Sequence, residues 1–342
     1  MQFRRRLAVL MDAMAAWTGL LVGAVIPADG KLVRRWETLP PNMRGILWIM
    51  AAGVALTIMT ALIKALGSRI PVVQILFLRQ FVLTVMMTPR MVRDPRTAFA
   101  TEHLKLHALR ALFALIAMLT GFTAIVHLPL ADAVAISFSK SFFVTIFAIL
   151  ILQEVVSRHR WAAVILGFVG VLIMVQPSAE GFDPYALLGL LAAAAVGLVM
   201  VIIRKLAQRE PLATVITYQA VLVGGALLIP ALIYWVEPTP VEWAMLLLIG
   251  FLSAIGQSLN FNGFRAGEAT AVASADYLRL VYATGLGVVV FNEWPTLPAL
   301  AGAALIVGTT LYAMWAEKRP APARVAAMKA AASHVKAPAP AE

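Results

Sequence analysis

Residues 139–154 read SKSFFVTIFAILILQE, and residues 278–293 read LRLVYATGLGVVVFNE. The two stretches stand 139 positions apart, and at that offset Lys140 matches Arg279, Thr145 matches Thr284, and Glu154 matches Glu293. Gln80 and Gln219 keep the same spacing far upstream of both. Polar residues are scarce in such apolar runs, so four coincidences at one offset point to a duplicated unit. Ala131-Asp132-Ala133-Val134-Ala135 pairs with Ala269-Thr270-Ala271-Val272-Ala273 at 138, which implies one residue inserted or lost. A membrane chain built from two similar halves is the pattern of carriers that alternate access around a midplane site.

Composition agrees with a membrane setting. Of 342 residues, 61% are hydrophobic and 13% charged, with a mean hydropathy of +0.87. Soluble domains carry roughly a quarter charged residues, so most of this surface must meet lipid or other apolar helices. The net charge of +11 sits in short loops and tails, which suits topogenic charge and lipid head groups rather than a nucleic-acid groove. No basic stripe with interleaved aromatics speaks for nucleic acid. There are no cysteines, which excludes disulfides, thiolate metal sites and a cysteine nucleophile. The five histidines are scattered at 103, 107, 127, 159 and 334, and neither a P-loop, G-x-S-x-G nor H-E-x-x-H occurs, so no enzyme, cofactor or metal is expected.

Ten apolar stretches are long enough, or nearly so, for the roughly 20 residues a crossing helix needs. They fall near 45–66, 72–89, 108–127, 131–152, 161–177, 186–204, 212–234, 243–262, 269–291 and 297–316, with prolines in most gaps. The expected fold is an all-α integral membrane protein, ten transmembrane helices in two inverted five-helix repeats over 44–177 and 178–316. Five spans per half is odd, so the second half enters the membrane upside down. With a cytoplasmic N-terminus the inner loops hold eleven basic residues (Arg90, Arg93, Arg96, Lys105, Arg110, Arg158, Arg160, Arg204, Lys205, Arg209, Arg265) against Lys64 and Arg69 outside. Residues 1–43 open with Arg4-Arg5-Arg6 and an apolar run whose helical spacing predicts an interfacial helix. Residues 317–342 are Ala/Pro/Lys-rich, a basic tail expected to be disordered and cytoplasmic.

The stretch before Glu154, then Arg158, Trp161, Gly167-Phe-Val-Gly170 and Gln176-Pro177, has a counterpart in Gly285-Leu-Gly287, Phe291-Asn-Glu293-Trp-Pro295, Gly302 and Gly308. With these motifs the chain resembles the drug/metabolite transporter superfamily, in particular proteins with two EamA-type domains, over about residues 44–316. The resemblance implies transport of a small metabolite through a bacterial inner membrane, with the cavity lined by the first four spans of each half. Arg79 on the second span fits the family's habit. Two departures stand out: Lys140 and Arg279 occupy places where many members carry proline, and the first span lacks the glutamate that cation exporters use.

Lys140 and Arg279 each precede their glutamate by 14 residues, about 21 Å along a helix at 1.5 Å per residue, which puts both near the bilayer midplane. A cation there costs at least a few kcal/mol unless paired or hydrated. One reading makes the pair an anion clamp for a carboxylate or phosphate, with Arg as a fork and Lys as a point charge. The other is structural, with Asp276, three residues before Arg279, as its neutralising partner and an acid across the bundle for Lys140. Further lining candidates are Arg79, Gln80, Gln219, Gln257 and Asn260, with Tyr218, Tyr277 and Tyr282 offering ring faces. Asp276, Glu154, Glu293, Asp132 and His127 are the candidates for coupling or gating, set against plain capping and solvated loops. The expected partners are a small-molecule substrate and the lipid bilayer, the chain acting as monomer or homodimer.

Overall fold

In the computed structural model the described residues are 38–93, 99–153, 158–175, 183–207, 209–210, 212–266 and 275–318. They form eleven helices: α1 Pro41–Leu66, α2 Val72–Arg93, α3 Leu104–His127, α4 Leu130–Ser137, α5 Lys140–Leu152, α6 Arg158–Val175, α7 Pro184–Ala207, α8 Leu212–Ile233, α9 Pro240–Ala266, α10 Leu278–Phe291 and α11 Leu297–Lys318. No strand occurs among the described residues. Proline opens α1, α7 and α9, where its missing N–H has no helical partner to lose and its fixed φ suits the first turn.

Five segments are long and apolar enough to cross a membrane by length and composition: Met43–Leu66, Leu104–His127, Leu130–Ile151, Pro184–Ile203 and Pro240–Asn260. Shorter apolar helices run over Val72–Met86, Thr217–Ile233, Leu278–Phe291 and Leu297–Thr309. Helix α3 begins at Leu104, four residues before the expected start, so Lys105 is helical and Arg110, counted as a loop charge, lies well inside the helix. Residues 1–37 of the N-terminal extension, the C-terminal tail from residue 319, and Glu154 lie outside the described residues.

The halves do not pack as two separate bodies. α1 packs most extensively on α9, and its repeat mate α7 packs on α3; α2 meets α8 and α6 meets α11, each the mate of the other. The most extensive helix pairs therefore all join one half to the other. Interlocking of this kind buries the small-residue faces that let membrane helices approach closely.

The fourth segment is not one helix. Its path tightens at Phe138 and Ser139, where Phe138 N–H donates to Ala135 O and Ser139 N–H to Ile136 O, both at 3.0 Å. No proline causes this. Ser137 and Ser139 hydroxyls bond back to Val134 O and Ile136 O at 2.6 Å each, and such back-bonding competes with the regular ladder. The ninth segment repeats the feature, with Arg279 N–H on Asp276 O at 3.0 Å and Leu280 N–H on Tyr277 O at 3.1 Å. Lys140 and Arg279 each follow this tightened turn directly. Short stretches of three-residue turn inside a helix are common hinge positions.

Both helices also end alike. Gln153 (φ 53°) and Asn292 (φ 54°) are the non-glycine residues with positive φ among the described residues, and they stand 139 positions apart. The left-handed turn at Asn292 reverses the chain, and Glu293 N–H returns to Gly287 O at 2.9 Å. This is the helix-ending pattern in which the orphan carbonyls of the last turn are satisfied from beyond it.

Candidate functional site

The centre of the bundle holds one cross-repeat ion pair. Lys140 Nζ, in the first turn of α5, lies 3.3 Å from Asp276 Oδ2, just before α10. The side chains are 22% and 27% exposed, so the pair is neither sealed in the core nor fully wet. The structural alternative set Asp276 against Arg279 on its own helix and an acid across the bundle against Lys140; that acid is Asp276 itself, whose carboxylate meets the lysine of the other half. The one-turn spacing alone could not reveal this, because the interlocked halves bring an equally close partner from outside the helix. Arg279 shares the cluster through its backbone bond to Asp276, and its Nε is buried without a hydrogen-bond partner. Tyr282 packs with the Arg279 stem against Gly53 of α1. Tyr277 stands edge-on to Phe138 at 5.2 Å, and Lys140 Nζ lies 5.8 Å from the same Phe138 ring. The cluster thus joins Lys140, Asp276, Arg279, Tyr277 and Tyr282.

Arg79 forms a separate buried knot. Its Nη1 donates to Ser253 Oγ at 3.1 Å, Nη2 reaches Met118 Sδ at 4.0 Å, and the guanidinium lies over the Phe122 ring at 5.7 Å. Each of these partners is neutral, and Nε has none. Gln257 joins the knot weakly, 3.4 Å from Ser253 Oγ. Asn260, one turn further along α9, is half-buried. Gln80 is buried with its Oε1 unpartnered, beside Gly224 of α8.

One end of the bundle is latched around Lys64. Sequence spacing makes Lys64 a loop charge, yet it is 8% exposed. Its Nζ sits 2.9 Å from Glu293 Oε1 and donates to Leu128 O and, at 3.4 Å, to Ile125 O. Glu293 Oε2 in turn accepts the Leu130 N–H at 3.0 Å, capping α4 from the opposite half. Asp132, one turn into α4, accepts the Thr296 N–H at 3.1 Å at the start of α11. His127 faces elsewhere, its ring stacked on Tyr185 at 4.0 Å, so Asp132 and His127 turn to different partners. Nearby, Arg69 Nε donates to Glu242 Oε1 at 2.6 Å.

The opposite end carries a second buried polar group. Arg110 is 2% exposed and donates to Val215 O at 2.8 Å and to Gln219 Oε1. One turn earlier His107 Nε2 meets Glu210 Oε2 at 2.6 Å, Thr101 Oγ1 donates to Glu210 Oε1 at 2.5 Å, and the His107 ring stacks on Tyr218 at 4.5 Å. Tyr218 and Gln219 thus belong to this end and not to the Lys140 cluster. Burial alone would raise the Glu210 carboxyl, but the hydrogen bonds from Thr101 and His107 outweigh it and hold it below its ordinary value. Its contribution to stability is therefore complete above the ordinary glutamate range and is lost as pH falls through the lowered folded value. Melting temperature followed from pH 7 to pH 3.5 should drop more steeply in the native protein than in Glu210→Gln; parallel curves would remove Glu210 from the acid response.

Comparison with known proteins fits this construction. The sequence profile of the EamA-like transporter family matches residues 43–176 and again residues 183–315. An S-adenosylmethionine uptake transporter of Rickettsia prowazekii is 28% identical over 83% of this chain and 96% of its own length. A riboflavin transporter of Brucella anthropi is 32% identical over 72% of this chain and 88% of its own. A pseudopaline exporter of Pseudomonas aeruginosa is 30% identical over 77% of this chain and 93% of its own. A crystal structure of 19% identity superposes over 80% of this chain and 96% of its own with a TM-score of 0.53, a likeness of fold. This helical membrane protein, with its two profile matches in one chain, belongs to the EamA-like transporter family.

Proposed function

We propose that this multi-pass membrane transporter carries a small carboxylate- or phosphate-bearing metabolite across a bacterial inner membrane by alternating access, with Lys140 and Arg279 as its anion contacts. The observation that carries this reading is the charge balance at the centre. Asp276 is engaged with Lys140, which leaves Arg279 and the neutrally partnered Arg79 in excess at comparable depth. An arginine cannot shed its proton to relieve that excess. An anionic substrate supplies the missing counter-charge.

A second reading is favoured by the same ion pair. Asp276 can trade Lys140 for a substrate ammonium, which leaves Lys140 and Arg279 to the carboxylate. An amino acid or a related zwitterion then fits, in line with the S-adenosylmethionine transporter among the relatives. Counterflow in proteoliposomes decides between the readings. Competition by simple carboxylates and phosphates supports the anion, and competition only by amino-acid-like compounds supports the zwitterion. Competition by organic cations alone would overturn both.

The Lys64 end is read as periplasmic and both termini as cytoplasmic. Setting aside the two buried cations Lys64 and Arg110, ten inner basic residues still face Arg69 alone. Single cysteines placed at Ser178 and Thr239 in this cysteine-free chain should react with an impermeant reagent from outside, and those at Ala98 and Ala207 should not. The reverse pattern would invert the orientation, and a break in the alternation would remove the inverted repeat. The opposed hinges after Ser139 and Tyr277 supply the rocking points, and the Lys64–Glu293 latch supplies the closed outer end.

A further inference from the structure

Gly53 lies buried midway along α1, where that helix meets the first turn of α10. A Cβ at this position would stand 3.2 Å from Arg279 Cγ, 3.2 Å from Tyr282 Cε2 and 3.5 Å from Tyr282 Cδ2. Carbon atoms in good contact are about 3.5–4.0 Å apart, so a methyl group would push both the arginine stem and the ring back by a few tenths of an ångström. The three atoms nearest that Cβ all belong to these two side chains. Arg279 Nε is buried with no hydrogen-bond partner, so that part of the side chain is held by packing and not by a polar anchor. The bare backbone of α1 is the wall that sets where the stem runs.

Two observations separate this from ordinary close packing of helices. The residue 139 positions on from Gly53 is Ala192, so the glycine is not shared by the two repeats: it stands in the first half and packs against the arginine of the second. Thr57 Oγ1 also bonds back to Gly53 O at 2.7 Å, and back-bonding of this kind bends a helix locally. A glycine inside a helix ordinarily lowers stability relative to alanine, and here the two side chains packed on its bare backbone account for its place.

We propose that Gly53 is a positioning residue for Arg279: it sets the height and direction of the guanidinium that receives the anionic end of the substrate. The assignment of Arg279 to substrate rests on the transport reading above, but its positioning by Gly53 can be tested without a substrate. Phenylglyoxal, which modifies exposed guanidinium groups, is applied to the purified full-length protein, and labelling at Arg279 and Arg79 is measured by peptide mass spectrometry. In Gly53→Ala the Arg279-to-Arg79 labelling ratio should rise at least threefold as the stem is driven off the α1 wall. The melting temperature should stay level or rise, since alanine favours the helix. An unchanged ratio, or faster labelling at both arginines with a lower melting temperature, would overturn the proposal in favour of general helix packing. Should Gly53→Ala fail to fold, adding Arg279→Ala and Tyr282→Ala together must restore folding, because the clash is with those two side chains; failure of the triple variant also overturns it. If Arg279→Gln leaves substrate binding intact, the anion reading falls while the labelling result stands.

Discussion

Arg279→Gln should weaken substrate binding by two to three orders of magnitude and leave the protein folded in detergent. Removing one partner of a desolvated charge pair commonly costs about 2–5 kcal/mol, and each 1.4 kcal/mol is about tenfold in affinity. Glutamine retains a donor but neither the charge nor the forked geometry. Stability should change little, because Arg279 Nε already lacks a partner in the empty protein. Lys140→Met should behave differently. It removes an anion contact and also strands Asp276. Breaking a fully buried pair costs about 3–5 kcal/mol, and at roughly one quarter exposure a loss of about half that is expected. Lys140→Met with Asp276→Asn should therefore regain stability without regaining binding. Equilibrium binding and thermal unfolding of the three variants separate these effects. If both single variants bind with unchanged affinity, the two cations are structural and the anion clamp is wrong.

The duplicated offset made the architecture legible before any coordinates. Lys140 and Arg279 match in sequence, and each follows a tightened turn in its helix; Gln153 and Asn292, one residue before the paired glutamates, share a left-handed conformation. What the sequence could not display was the partner of each polar group. Asp276 turns from Arg279, three residues away, to Lys140, 136 residues away. Lys64 and Arg110 look like topogenic loop charges and are buried, one against Glu293 and the other against Gln219. Tyr218 and Gln219 look like lining residues and stack or bond at one end of the bundle. The common cause is the interlocking of the halves: spacing along a helix predicts neighbours on that helix, while here the decisive neighbours come from the other repeat. Lys64 carried one usable signal. It stands within the last turn of a helix whose other charge, Arg44, lies in the first turn, and a lysine near a helix C-terminus is placed to bond terminal carbonyls.

Loss of the Lys64–Glu293 latch should be a large structural perturbation for a single substitution. Glu293 joins three elements: its Oε1 holds Lys64 of α1 at 2.9 Å, its Oε2 caps the Leu130 N–H of α4 at 3.0 Å, and its backbone closes the end of α10. Glu293→Ala leaves the Lys64 ammonium, with its side chain only 7% exposed, facing backbone carbonyls and the Phe291 ring at 5.6 Å without a paired counter-charge, the nearby Asp132 acting only at longer range. An uncompensated buried charge costs about 3–5 kcal/mol, of which the 28% exposure of Glu293 argues for the lower part. Loss of the α4 cap adds about 1 kcal/mol. Glu293→Gln keeps a carbonyl oxygen for Leu130 and should lose less than Glu293→Ala. Lys64→Met removes the buried cation itself and should lose less again, and combining it with Glu293→Gln should cost less than the sum of the two. The functional consequence follows from the position of the latch at one mouth of the bundle. A single cysteine at Ser139, fully buried at the hinge, should react slowly with an impermeant thiol reagent applied from the Lys64 side, and at least tenfold faster once Glu293 is alanine. If the cysteine's reactivity is unchanged while the protein is destabilised, Glu293 is a cap and a brace, and the outer gate must lie elsewhere.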